Sequence, residues 1–210
     1  MKLFLTSSCI SENLASDFLQ FLDKSLKDTK FYFIPTATDV EENKFYTAKS
    51  LDDIARLGIN PVWYSLRFKN KELIREELAD ADVVWVGGGN TFYLLNIARE
   101  SGFFEVINDL VRNKGVIYGG TSAGTILASP SIEIAGWGED ADTNHVGLTD
   151  LSSLHFIDAL FQVHYDSVSH VDMLTMYKTA LPIYVLPDGG AVTVKDQEIK
   201  LLGGAEAFIS

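Results

Sequence analysis

The sequence predicts an α/β fold: a three-layer α/β/α sandwich on a mostly parallel sheet, ending in antiparallel strands. Three observations carry this. Short β-type runs alternate with longer segments of helical period through about residue 128, the pattern of a sheet covered on both faces. Two of the strand-like runs end in glycine clusters, Gly87-Gly88-Gly89 and Gly119-Gly120, as turns from strand to helix require. Beyond residue 180, apolar runs follow one another too closely for intervening helices.

In order along the chain, strands are expected at Lys2–Leu5, Phe31–Pro35, Asn60–Tyr64, Val83–Val86 and Val116–Tyr118. Between them Glu12–Leu26, Phe45–Leu57, Lys71–Leu78 and Thr91–Ala98 place apolar residues three and four apart, as amphipathic helices do. The stretch Ile132–Leu148, rich in glycine and acid, reads as a long loop. Further strands follow at Leu160–Tyr165, Ile183–Leu186, Ala191–Val194 and Glu198–Leu202. The last three are expected to pair antiparallel through the turns Asp188-Gly189-Gly190 and Lys195-Asp196-Gln197. With no repeat or linker, one domain over residues 1–210 is the simplest account.

Composition narrows the function classes. Hydrophobic residues make up 47% and charged residues 22% of the chain, which argues against disorder. A formal net charge of -12, with no basic stripe to offset it, disfavours nucleic acid as a partner. No run is long enough to span a bilayer, and the apolar start is too short for a signal segment, so a cytoplasmic location is expected. Cys9, the sole cysteine, has no sharp turn around it in the sequence and reads as a packed or free thiol.

The chemistry concentrates at strand ends, where open α/β sheets place their ligands. Gly120-Thr121-Ser122-Ala123-Gly124 fits G-x-S-x-G, a turn that presents a serine between a strand and a helix. A serine nucleophile needs a base, and the base an orienting acid. His164 follows the strand-like run Leu160–Val163, whereas His145, His155 and His170 read as surface or structural residues. Asp188 closes the run Ile183–Leu186, and Asp142 in the acidic loop competes with it as the orienter. The Gly87-Gly88-Gly89-Asn90-Thr91 turn suits an oxyanion or simply a tight βα connection capped by Asn90 or Thr91. It lacks the phosphate-loop and dinucleotide signatures, and no cofactor and no metal is expected.

Val86-Gly87-Gly88-Gly89-Asn90-Thr91-Phe92, Ser122-Ala123-Gly124, Val163-His164 and Leu186-Pro187-Asp188-Gly189 together resemble the peptidase E (aspartyl dipeptidase) group, serine peptidase family S51, which includes cyanophycinases. The resemblance implies a class-I glutamine-amidotransferase-like fold and hydrolysis of small peptides, with Ser122 as nucleophile and His164 as base. It further implies Asp188 where peptidase E has a glutamate, the N–H groups of Gly89 and Ala123 as an oxyanion hole, and Asp142 as an accessory acid. The chain departs from peptidase E after the histidine, where that group carries arginines: here the segment reads Asp166-Ser167-Val168-Ser169-His170-Val171-Asp172-Met173, and no arginine follows Arg112. Asp-X dipeptides are therefore disfavoured as substrates unless Lys178 or an earlier arginine substitutes. The alternatives are a non-catalytic binder of peptides or amides on the same fold, and a hydrolase of isopeptide or basic substrates, the latter motivated by Glu139, Asp140, Asp142, Asp166 and Asp172. The cleft has two candidate covers, the 132–148 loop or a second subunit in a homodimer.

Overall fold

In the computed structural model, residues 1–138, 140–168, 170–176 and 179–208 are described. The elements run β1 (Lys2–Thr6), α1 (Ala15–Phe21), β2 (Phe31–Ile34), α2 (Phe45–Arg56), β3 (Val62–Trp63), α3 (Lys71–Glu77), β4 (Val83–Val86), α4 (Thr91–Glu100), α5 (Phe103–Asn113) and β5 (Ile117–Thr121). They continue with α6 (Ala123–Ile126), β6 (Leu160–Gln162), α7 (Val171–Met176), β7 (Ile183–Val185), β8 (Ala191–Lys195), β9 (Glu198–Leu202) and β10 (Glu206–Phe208).

A seven-stranded sheet in the order β3-β2-β4-β5-β1-β8-β9 forms the middle layer. Its first five strands are parallel, and β8 and β9 are antiparallel additions. Side chains alternate between two cores, as the two-residue period of a strand demands. Leu3, Leu5, Val84, Val86 and Tyr118 face one core with Ile74, Leu94, Leu95, Phe103 and Ile107. Phe4, Phe31, Phe33, Val83, Trp85 and Ile117 face the other with Phe18, Phe21 and Ile54. Strands buried on both faces must be apolar at every position, which is why β4 reads Val-Val-Trp-Val without a polar break.

The structure revises several expected elements. Glu12–Leu26 is not one helix: a 3-10 turn at Glu12–Leu14 leads into α1, which stops at Phe21, and a second 3-10 turn occupies Leu26–Asp28. Between Thr91–Ala98 and Val116 stands an additional helix, α5. Its signal is present in the sequence, since Phe103, Val106, Ile107, Leu110 and Val111 recur at helical spacing and are all buried. The expected antiparallel trio is also split. β8 and β9 form a hairpin, but β7 leaves for a separate three-stranded sheet, β10-β7-β6, where it runs parallel to β6 and antiparallel to β10. The Asp188–Gly190 turn thus connects two sheets rather than two paired strands. The β8–β9 turn has both central residues, Asp196 and Gln197, at positive φ, 51° and 79°, the backbone that a two-residue hairpin of right-handed twist needs.

Candidate active site

β4, β5 and β1 are neighbours in the sheet, so their carboxyl ends lie side by side. They deliver Gly87–Gly89, Ser122 and Ser7 respectively. From the second sheet, the ends of β6 and β7 deliver His164 and Asp188.

Ser122 sits between β5 and α6 with φ 50° and ψ -111°, a strained backbone for a residue with a side chain. Close packing holds it there. The Ser122 N–H donates to the Thr6 carbonyl at 3.1 Å, and the Thr125 and Ile126 N–H groups donate to the Ser122 carbonyl at 2.8 and 3.0 Å. The flanking glycine is needed for contact: a Cβ on Gly124 would fall 2.1 Å from the Val86 carbonyl oxygen. The expected strand-turn-helix is therefore present in its full form.

The three predicted triad residues come together. Ser122 Oγ lies 3.1 Å from His164 Nε2, and His164 Nδ1 lies 2.7 Å from Asp188 Oδ1. Of the two candidate acids, Asp188 is the one against the imidazole. Asp142 instead accepts a hydrogen bond from the Thr91 N–H at 2.7 Å, at the amino end of α4. Burial holds the Asp142 carboxyl above the ordinary carboxylate range, against the opposing pull of hydrogen bonding from Thr91 and of the nearby His164. Asn90 caps α4 by accepting from the Tyr93 N–H at 2.9 Å, and its amide donates to the Thr143 carbonyl at 3.0 Å. Cap and site are thus one turn.

Ala123 directly follows Ser122, and Gly89 lines the same cavity as Ser122. Gly89 has φ 128° and passes so close to Ala37 that a Cβ would fall 2.4 Å from its carbonyl oxygen, so only glycine fits. Among the described residues no acceptor within the protein engages the N–H of Gly88, Gly89 or Ala123. Unengaged N–H groups beside a serine hydroxyl are what an anionic oxygen would need.

Two cavities flank the serine. One, of about 530 Å³, extends from Ser122 and Asp188 past Gly87–Gly89 to Glu41, Tyr46, Lys49 and Asp53. The other, of about 580 Å³, is walled by Ile134, Trp137, Phe161, Val163 and Met176, with Asp140 and Asp142. The 132–148 loop thus forms one wall of the site. Lys49 is the one Lys or Arg lining either cavity among the described residues, and its Nζ lies 3.3 Å from Asp53, which also binds Arg56 at 2.7 Å. Glu139 and Lys178, with the side chain of Asp172, lie outside the described residues.

Of the other histidines, His155 pairs with Asp158 at 2.5 Å and His145 is exposed. His170, expected at the surface, lines the second cavity and accepts from the Asp166 N–H at 2.9 Å. Cys9 is buried, and burial pushes its thiol up to about 11. Contrary to the sequence expectation, its backbone does turn sharply, with φ 53°. Sequence reasoning missed Ser7, whose hydroxyl touches both His164 and Asp188. A serine after a strand carries no signal of such contacts until the sheets are placed.

Comparison with known proteins identifies the family. The model of peptidase family S51 matches residues 3–202. An uncharacterized peptidase of Pasteurella multocida (strain Pm70) is 30% identical over 97% of both chains. A peptidase E of Salmonella typhi is 33% identical over 82% of this chain and 75% of its own length. A 1.5 Å crystal structure of a candidate peptidase E protein from Listeria monocytogenes EGD-e superposes with a TM-score of 0.81 at 26% identity, covering 95% of this chain and 96% of that one. A peptidase from an acI-B1 actinobacterium, at 17% identity and a TM-score of 0.63 over 99% and 93% of the two chains, shares the fold. With a family model spanning nearly the whole chain and peptidase E among its relatives, the chain belongs to peptidase family S51 and is a serine-type peptidase.

Proposed function

We propose that the protein hydrolyses the amide bonds of small peptides, with Ser122 as nucleophile, His164 as general base and acid, and Asp188 as the group that orients the imidazole. The observation that carries the reading is the unbroken chain of contacts from Ser122 Oγ to His164 Nε2 at 3.1 Å and from His164 Nδ1 to Asp188 at 2.7 Å. In this reading His164 holds its proton on Nδ1, facing Asp188, and offers the Nε2 lone pair to the serine. Ser122 Oγ bonds to the substrate carbonyl carbon while its proton passes to Nε2. Asp188 stabilises the imidazolium, and the oxyanion takes hydrogen bonds from the Gly89 and Ala123 N–H groups. When the C–N bond breaks, Nε2–H protonates the departing amine. Water then gives a proton to Nε2 and attacks the acyl carbon, and Ser122 leaves with that proton restored.

The reading does not extend to a preference for Asp-X. A desolvated substrate carboxylate needs a cation, and among the described lining residues Lys49 is already paired with Asp53. The test is a dipeptide library that includes Asp-X and arginine-bearing β-aspartyl peptides, assayed with the natural protein and Ser122→Ala. We expect turnover on peptides lacking an acidic first residue, reduced by roughly 10⁴-fold or more in Ser122→Ala. Equal rates in both proteins sink the triad, a dominant Asp-X rate overturns the substrate reading, and cleavage confined to β-aspartyl-arginine bonds replaces it with an isopeptide hydrolase.

A further inference from the structure

The Ser122 hydroxyl and its acid–base pair come from different sheets, and one small residue spans the gap. Ser7 lies just past β1, an interior strand of the seven-stranded sheet, and is fully buried. Its Oγ accepts a hydrogen bond from the His164 backbone N–H at 2.8 Å and donates to Asp188 Oδ1 at 3.3 Å, with His164 Nδ1 at 3.4 Å. Its own N–H donates to the Gly190 carbonyl at 3.1 Å, in the turn that carries Asp188. The preceding residue, Thr6, accepts the Ser122 N–H through its carbonyl. The dipeptide Thr6-Ser7 therefore touches the nucleophile's backbone on one side and both His164 and Asp188 on the other.

These contacts answer a problem the pair would otherwise have. The side chains of His164 and Asp188 are 49% and 72% exposed. A side-chain hydrogen bond this open to water does not hold its own geometry. His164 also has φ 52°, a left-handed backbone that a residue with a side chain adopts only when its surroundings impose it. A buried hydroxyl, by contrast, sits in a fixed place.

We propose that Ser7 is a positioning residue of the catalytic site: it pins the strained His164 backbone through its acceptor lone pair and fixes the Asp188 carboxylate through its single proton. It neither touches substrate nor exchanges a proton with it. The inference rests on the triad reading above and concerns how that triad is held. Misplacing reacting groups by about 1 Å costs on the order of 10²-fold. Ser7→Ala is therefore expected to lower kcat by about tenfold to a hundredfold, leaving KM within about twofold and the melting temperature nearly unchanged. In an Asp188→Ala background the same substitution is expected to cost markedly less, because one of its two partners is already gone.

An unchanged kcat in folded Ser7→Ala, or a loss that multiplies in full with Asp188→Ala, overturns the inference. Amide hydrogen exchange in the natural protein reads the contact without any substrate. The His164 N–H is expected to be protected although its side chain is exposed, and exchange at the rate of a free amide overturns the inference even where Ser7→Ala does not fold. Ser122→Ala separates the two readings. A dead Ser122→Ala beside a fully active Ser7→Ala removes the role of Ser7 alone, whereas an active Ser122→Ala removes the triad and leaves the exchange measurement to decide the contact.

Discussion

Asp142 and Asp188 are both aspartates at the edge of one cleft, and their surroundings give them different work. Asp188 is exposed and faces an imidazole, while Asp142 is mostly buried against the first N–H of α4. The raised Asp142 carboxyl means that the folded state favours its neutral form. The stabilisation is therefore complete below the unfolded carboxylate value and is lost as pH rises through the raised one. Asp142→Asn keeps an oxygen for the Thr91 N–H but removes that titration. Urea midpoints are expected to move in favour of the variant between pH 3.5 and pH 7, and a constant difference across that range would contradict the assignment. The sequence could nominate both acids, Asp188 because it closes a strand-like run and Asp142 because it stands in an acidic loop, but not choose between them. The choice depends on which oxygen meets Nδ1, a fact of tertiary placement. Ser7 was invisible for the same reason, whereas Ser122 and His164 announce themselves through local pattern.

Among the elements, the short helix α6 shows how packing overrides propensity. Replacing a helical glycine by alanine ordinarily favours the helix by about 1 kcal/mol. At Gly124, however, the new methyl carbon would fall 2.1 Å from the Val86 carbonyl oxygen, a backbone atom of a buried strand that cannot give way. Overpacking of this kind costs about 1–3 kcal/mol. Gly124→Ala is thus expected to lower the urea midpoint, and a stabilised variant would refute the claim that α6 and β4 pack at backbone contact. Elements whose periods are clean were legible in the sequence, β4 and α4 above all, since an unbroken apolar run and a three-to-four spacing follow directly from burial on two faces and on one. Less legible were partners. Nothing in Ile183–Val185 says that it leaves the main sheet, because a three-residue apolar strand satisfies either sheet equally and the pairing is set by what remains uncovered after the others have docked.

On the scale of the molecule, the site straddles a seven-stranded sheet and a three-stranded one whose strands are only three residues long. Short strands with few ladder bonds open more readily than a buried parallel core. Hydrolysis is accordingly expected to fail at lower urea than the far-ultraviolet dichroism of the main sheet, and coincident curves would show instead that the two sheets open together. The α/β/α layering itself was readable from alternation of strand and helix, while the second sheet was not, since it is built from long-range pairings. That division also orders events in time. During synthesis the ribosome releases Ser122 first, His164 42 residues later and Asp188 after a further 24. On the proposed triad, a nascent chain that stops short of His164 would hold a nucleophile with nothing to activate it, so proteolytic power waits on synthesis of the second sheet.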